Sequence, residues 1–321
     1  MKVNMTLLLS LGLLIVLSGC GSAPQRPVAV TEGERLLSHG VNAHRNDDLL
    51  NAANFFTKAL SHYQGLDDAQ GQLQSRINLT EVALAVGNLD AAHRHLAQAE
   101  MLATGELSRY RPRLLLLRSS LALATGDMEG ARLQSEALLP EKLGGSAQSA
   151  TDETILREAL INRTRIAISQ NDDSSARWIE RLEKNSQGDA SSTAWVERFR
   201  AALADHGGDH AAASLHLQKA LDICKEIASR RCIAGTLDEW GAQLQAAGDL
   251  SGAEDRYQRA LTVRLALLDR GGSSKTLRHL ADICQSTGRN ERAATLVGWA
   301  DTVAGDGTVD WRRLNSDTLG R

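Results

Sequence analysis

LDEWGAQLQAAGDLSGAEDRYQRAL, the stretch from Leu237 to Leu261, decides how the chain folds. Leu237, Trp240, Gly241 and Leu244 recur at three- and four-residue spacing, which gathers them on one face of a helix. Gly248 and Asp249 interrupt the run. Glycine permits backbone angles closed to other residues, and an aspartate can accept hydrogen bonds from the free amides opening a following helix. Behind the break, Ala253, Tyr257, Ala260 and Leu261 form a second stripe. The small residues Gly241, Ala253 and Ala260 fall where two antiparallel backbones must approach closely. The segment reads as a helical hairpin.

The arrangement recurs. Its turn residue falls at Asp47, Gly87, Gly126, Asn171, Gly208, Gly248 and Gly288, at intervals of 40, 39, 45, 37, 40 and 40 residues. The clearest copies are GNLDAAHRHLAQA from Gly87, GDHAAASLHLQKAL from Gly208 and GRNERAATLVGWA from Gly288. The first copy keeps Leu36 and Gly40 ahead of its turn, then Ala52, Phe56 and Ala59 behind it; those at Gly126 and Asn171 are degenerate. The pattern resembles the tetratricopeptide repeat (TPR). Leu237, Trp240-Gly241, Gly248-Asp249, Ala253, Tyr257 and Ala260 match that family's apolar position, Leu-Gly pair, Gly-Asp turn and Ala-aromatic-Ala offsets. The period near 40 exceeds the family's usual length of about 34. It is similar to the longer-helix variety of kinesin light chains and many bacterial regulators. The resemblance runs from about Glu32 to Val303 and implies an all-α fold, an α-solenoid of about seven TPR-like hairpins, stabilised between neighbours.

The chain opens MKVNMTLLLSLGLLIVLSGC. Lys2 and the apolar run Leu7–Leu17 are too short for a comfortable bilayer span and read as a secretory signal over residues 1–19. Leu17-Ser18-Gly19-Cys20 resembles the lipobox of bacterial lipoproteins, which implies lipidation of Cys20 by acyl chains such as palmitate. The alternative is an ordinary signal peptide with an incidental cysteine. Gly21-Ser22 lacks the aspartate that, in enteric lipoproteins, retains the protein in the inner membrane; the resemblance therefore implies an outer-membrane anchor facing the periplasm. Two or more acyl chains hold stably where one does not. Residues 20–31, with two prolines in GSAPQRPVAV, are expected to form an extended tether.

Removing residues 1–19 takes away Lys2 and moves the formal charge from −3 to −4, and no basic stretch stands out. Nothing here favours nucleic acid. Aromatic residues are 3% and hydrophobic residues 42%, dominated by the helix formers Ala and Leu. Cys224 and Cys232 are expected at the end of one helix and the start of the next, a separation compatible with a disulfide in an oxidising compartment. The alternative is buried free thiols, with Cys284 a core residue.

The repeats divide into 32–139 and 153–303, separated by PEKLGGSAQSAT (Pro140–Thr151) in a loop over 140–152 that is either a hinge, a partner contact or a tolerated surface loop. A second polar loop covers Asn185–Ser192. The tail, 304–321, carries Trp311 and is expected either to cap the solenoid or to lack order.

No nucleophile elbow, phosphate loop, HExxH or dinucleotide fingerprint occurs, so no catalytic residue or cofactor is assigned. His93 and His95 point to different sides of a helix. Asp205, His206, Asp209 and His210 surround the Gly208 turn, where metal binding competes with the plainer role of Asp209 as a helix cap; no metal site is assigned.

In TPR proteins the first helices of successive repeats line a groove for a partner's peptide or helix. The register places Gln74, Ile77 and Glu81 there, then Leu116 and Ser120, then Glu158, Ile161 and Arg165. Asp238 and Gln245 follow, and finally Lys275, Arg278, Asp282 and Gln285. The more apolar N-terminal part suits an amphipathic helix. The alternative is that these are solvated faces. The lysine and asparagine clamp of chaperone-binding TPR proteins is not evident. The expected function is a non-enzymatic scaffold with protein partners, lipid-anchored in the envelope and serving pilus or secretion assembly, outer-membrane protein assembly or cell-wall enzyme regulation. The alternatives are a small-molecule or lipid carrier and a cell-wall enzyme with an unrecognised site.

Overall fold

Helix boundaries follow one local chemistry. A residue with left-handed backbone closes the turn, and the next residue caps the following helix. The seven expected turn residues all have this backbone, from φ 50° at Asn171 to φ 86° at Gly248. Asp48, Asp68, Asn88, Asp127, Asp189, Asp209, Ser229, Asp249 and Asp269 each accept, through the side chain, the amide three residues on. That satisfies a donor the helix itself cannot use.

The computed structural model describes residues 28–139, 150–305 and 308–319, and these hold fifteen α-helices and no strand. Seven hairpins follow in order. They are α1 (Val28–Arg45) with α2 (Leu49–Gly65), α3 (Ala69–Ala85) with α4 (Leu89–Leu102), and α5 (Arg111–Thr125) with α6 (Met128–Glu136). Next come α7 (Ala150–Ser169) with α8 (Ser175–Asn185) and α9 (Ala190–His206) with α10 (His210–Glu226). The last are α11 (Arg230–Ala246) with α12 (Leu250–Ala266) and α13 (Arg270–Ser286) with α14 (Asn290–Ala304). The helix α15 (Trp311–Leu319) follows.

Cys20, the expected signal segment and residues 140–149 of the expected loop lie outside the described residues. Three boundaries differ from expectation. The helix α1 begins at Val28, within the stretch expected to be an extended tether, α7 begins at Ala150, within the loop expected over 140–152, and α9 begins at Ala190, within the polar loop expected over Asn185–Ser192. In sequence Pro27 immediately precedes α1, a place where a missing amide costs little. The tail forms a cap. Leu314 is fully buried beside Leu296 and Val303, with Trp311 packed against the same cluster.

Packing is between neighbours. Leu49, Phe56 and Leu79 form one cluster, Leu160, Leu182 and Phe199 another, and Tyr257, Leu277 and Leu296 a third. Inside a hairpin, aromatic rings lie over glycines: a Cβ on Gly241 would sit 2.7 Å from the Tyr257 ring, and Gly40 meets Phe56 likewise. Cys224 and Cys232 are bridged between α10 and α11, Cα to Cα 5.4 Å, while Cys284 is a buried free thiol.

Two contacts join hairpins far apart in the chain. The carboxylate of Asp47, in the turn of the first hairpin, accepts the Arg230 amide at 3.1 Å and Arg231 Nε at 2.6 Å, at the start of the sixth. Arg230 also donates to the Asn46 carbonyl at 2.8 Å. In the turn of the second hairpin, Val86 accepts the Gly271 amide at 3.4 Å, at the start of the seventh. The backbones of Gly87 and Gly271 come so close that a Cβ on Gly87 would lie 3.1 Å from the Gly271 Cα. Both contacts span an offset of five hairpins. The superhelix therefore completes one turn in five repeats, with its first coil resting on the next.

Candidate functional site: the interior of the superhelix

Six first helices, α3 to α13, repeat one pattern. Positions seven residues apart are never buried: Gln74 and Glu81, Arg113 and Ser120, Glu158 and Arg165. The same holds for Trp195 and Ala202, Gly235 and Ala242, Lys275 and Asp282. Seven residues return to within about 20° on a helix, so each pair forms one stripe, whereas a step of three lands about 60° aside. That third position is buried in five of the six helices, at Ile77, Leu116, Ile161, Arg198 and Asp238.

The stripes face a common space. His44 in α1 responds to Arg231, Glu81 and Arg113, on α11, α3 and α5; burial and then Arg231 push its pKa below the usual histidine value. Arg113 spans two neighbours, donating to Glu81 Oε1 through Nη2 at 2.7 Å and to Glu158 Oε2 through Nη1 at 2.9 Å. Burial raises the Glu158 carboxyl above its ordinary range despite this partner.

Two turns along α7, Arg165 lies over the Trp195 ring, 4.6 Å from its centre, and Arg198 over the same ring at 3.7 Å. Arg198 Nε donates to Glu239 Oε2 at 2.6 Å. Burial, reinforced by Arg198, pulls the Arg165 pKa down to about 10. Beside these groups a cavity of about 340 Å³ opens between α7, α9 and α11, with Ile168, Phe199, Leu217, Ala242 and Gln243 in its wall. The arrangement offers stacking, an accessible cation and an apolar recess.

No family model and no curated protein matches this sequence. Solved structures are similar. A Rap protein complexed with Competence and Sporulation Factor superposes with a TM-score of 0.63, at 16% identity, covering 90% of this chain and 82% of that one. A tetratricopeptide repeat protein from Parabacteroides merdae ATCC 43184 gives 0.48, at 17% identity, covering 90% of this chain and 99% of that one. The fold is an all-α solenoid of helical hairpins, shared with the Rap structure. At these identities the likeness extends to the fold alone.

Within the solenoid the expected groove residues fall into three sets. Glu81, Ser120, Glu158, Arg165, Lys275 and Asp282 occupy the inner stripes, and Gln74 does so while donating to the Tyr110 hydroxyl at 2.8 Å. Four do not line a groove. Ile77 packs with Leu73 and Leu96, Leu116 with Leu138 and Ile155, and Ile161 with Leu160 and Phe199. Asp238 is 5% exposed and is held by Arg264 and by the Thr276 hydroxyl, which donates at 2.8 Å, so it ties the sixth repeat to the seventh. All four sit at the position turned towards the neighbouring first helix, where repeat packing claims the side chain. Gln245 accepts from the Tyr257 hydroxyl at 3.1 Å, and Arg278 pairs with Asp301 of α14 at 2.6 Å. Gln285 is exposed.

The fifth repeat was overlooked in the sequence. Carrying the register of Glu158 and Lys275 into α9 leads directly to Trp195. At the Gly208 turn, His210 Nδ1 pairs with Asp205 Oδ1 at 2.7 Å and Asp209 caps α10 through the Ala212 amide at 2.9 Å. Among the described residues no group of three or more His, Cys, Asp or Glu is placed to hold a metal ion, and no helix is long and apolar enough to cross a membrane.

Proposed function

We propose that the protein is a non-enzymatic scaffold that holds an extended or helical segment of a partner protein inside its superhelix. One observation carries this reading. The inner stripes stay solvent-accessible through six successive helices, while in five of them the position beside the stripe is consumed by repeat packing. A row of such side chains, polar, charged and aromatic, suits a ligand that runs from repeat to repeat. The similar Rap structure was itself solved as a complex with a factor.

The proposal places the scaffold at the envelope, anchored through Cys20 in the outer membrane and facing the periplasm, in support of an envelope assembly. The sequence MKVNMTLLLSLGLLIVLSGC supports this, as does the Cys224–Cys232 bridge, since disulfides persist in oxidising compartments.

The test is photocrosslinking in cells. A photoreactive amino acid replaces Ala202 or Ala242 inside, or the exposed Leu215 on α10 outside, and captured proteins are identified in the membrane fraction. The expected result is one protein captured from both inner positions and absent from Leu215. Equal capture inside and outside, or none from either inner position, sinks the scaffold reading.

A further inference from the structure

The turn between α10 and α11 is held differently from its counterparts. Its left-handed residue is Ala228, at φ 52°, a backbone that an alanine enters at a cost in energy. Its cap is Ser229, whose hydroxyl accepts the Cys232 amide at 3.4 Å. The aspartate and asparagine caps elsewhere hold their amides at 2.9–3.2 Å. What this turn lacks in local hydrogen bonding is supplied by the Cys224–Cys232 bond, which spans it. The turn at Leu268 has the same backbone, at φ 55°, and no cysteine. There Asp269 caps α13 at 2.9 Å and also pairs with Arg264.

The bridged turn also forms the seam between the coils. Arg230 and Arg231, immediately before Cys232, are the residues that Asp47 holds, one through its amide and the other through its side chain. An amide contact survives while the first turn of α11 keeps its place. The bond closes a short loop, a separation of eight residues, so it fixes the turn more than the helices on either side. Those are held by Leu217, Leu221 and Leu237, packed in one cluster. The two sulfurs are not equivalent. Cys224 is fully buried near the end of α10, whereas Cys232 is partly exposed in the first turn of α11. A helix N-terminus favours a thiolate, and stabilising the reduced form makes a disulfide easier to reduce.

We infer that the Cys224–Cys232 pair is a thiol–disulfide exchange site whose oxidation state closes or opens the seam between the first and sixth hairpins. The thiolate of an external dithiol attacks Cys232 Sγ, the accessible sulfur, and the protein's S–S bond breaks. Cys224 leaves as a thiolate and takes a proton; the Thr236 hydroxyl, 3.5 Å from its sulfur, can donate to it as it leaves. The second thiol of the reductant then attacks the mixed disulfide and releases Cys232. Two electrons and two protons pass to the protein, and the reductant becomes a disulfide. With the bond gone, Ala228 relaxes from its left-handed backbone, the start of α11 shifts, and Asp47 loses the Arg230 amide. The inference goes beyond the scaffold reading and stands whatever the superhelix holds.

The test treats the full chain with dithiothreitol, counts thiols by mass spectrometry, and follows amide hydrogen exchange and X-ray scattering. Reduction is expected to proceed without denaturant, to speed exchange of the Arg230 amide at least tenfold and to raise the radius of gyration. The Gly252 amide, capped by Asp249 in the turn at Gly248, should exchange as before. A Cys224→Ser, Cys232→Ser double variant should match the reduced chain and be indifferent to dithiothreitol, which separates the bridge from the free thiol of Cys284. In Asp47→Asn, where the seam is already released, reduction should change Arg230 exchange less than twofold. A bond that resists dithiothreitol until the chain unfolds overturns the proposal, as does a reduced chain with unchanged exchange and radius. Equal acceleration at Gly252 also overturns it, since the bridge would then be a general stabiliser of the fold.

Discussion

Tyr257 is fully buried against Gly241, and the hairpin of α11 and α12 closes only because that glycine has no side chain. Gly241→Ala places a methyl within 2.7 Å of the ring, which must move although it is packed on all sides. Overpacking of this kind costs about 1–3 kcal/mol. We expect a loss of that size in urea denaturation, largely recovered when Tyr257→Leu is added; a neutral Gly241→Ala would show that the hairpin yields. This pair was legible in the sequence, since a small residue facing an aromatic at fixed offset is a local pattern. Asp238 was not. A carboxylate on a helix reads as solvated, and its burial depends on Arg264 and Thr276 arriving from other helices.

The helices and turns themselves were legible wherever glycine, asparagine or aspartate marked a left-handed residue. The turns between hairpins were harder to see. Ala228 and Leu268 take φ 52° and 55° without glycine, because the flanking helices impose the turn. With these included, such residues fall every 20 residues from Gly188 to Gly288, so the element and not the hairpin is the finer repeat. Ion pairs between second helices add a pH dependence. Arg289 donates to both oxygens of Glu254, at 2.9 and 2.7 Å, joining α12 to the start of α14. The hydrogen bond from Arg289 holds the Glu254 carboxyl below its ordinary 4.5. A lowered carboxylate pKa contributes stability above pH 4.5 that disappears as pH falls through the folded value. Glu254→Gln is therefore expected to cost up to about 1 kcal/mol at pH 7 and nothing near pH 3, measured as urea midpoints at the two pH values. A cost independent of pH would contradict the pairing.

The closure of the superhelix belongs to the whole molecule, and no local pattern announces it. Asp47 and Arg230 are 183 residues apart, and their meeting depends on small rotations summed over five repeats. The sequence gives the repeats and their order; the pitch comes from side-chain volumes at every interface. Asp47→Asn keeps a residue tolerant of left-handed backbone but removes the charge that Arg231 requires. We expect a loss of about 1–2 kcal/mol, the scale of a hydrogen bond to a charged group, with faster hydrogen exchange at the Arg230 and Arg231 amides and a larger radius of gyration by X-ray scattering. Unchanged exchange and radius would mean that the coils stay seated without this contact.

The same seating sets a timetable for the nascent chain. The first two hairpins leave the ribosome long before the residues they rest on have been made. At roughly 5–20 residues per second, the separation of 183 residues corresponds to roughly 10–40 s of synthesis. Throughout that interval the turns at Asp47 and Gly87 face water or chaperones in place of Arg231 and Gly271. The first coil is thus made well before the residues it rests on and is among the last parts to be finished.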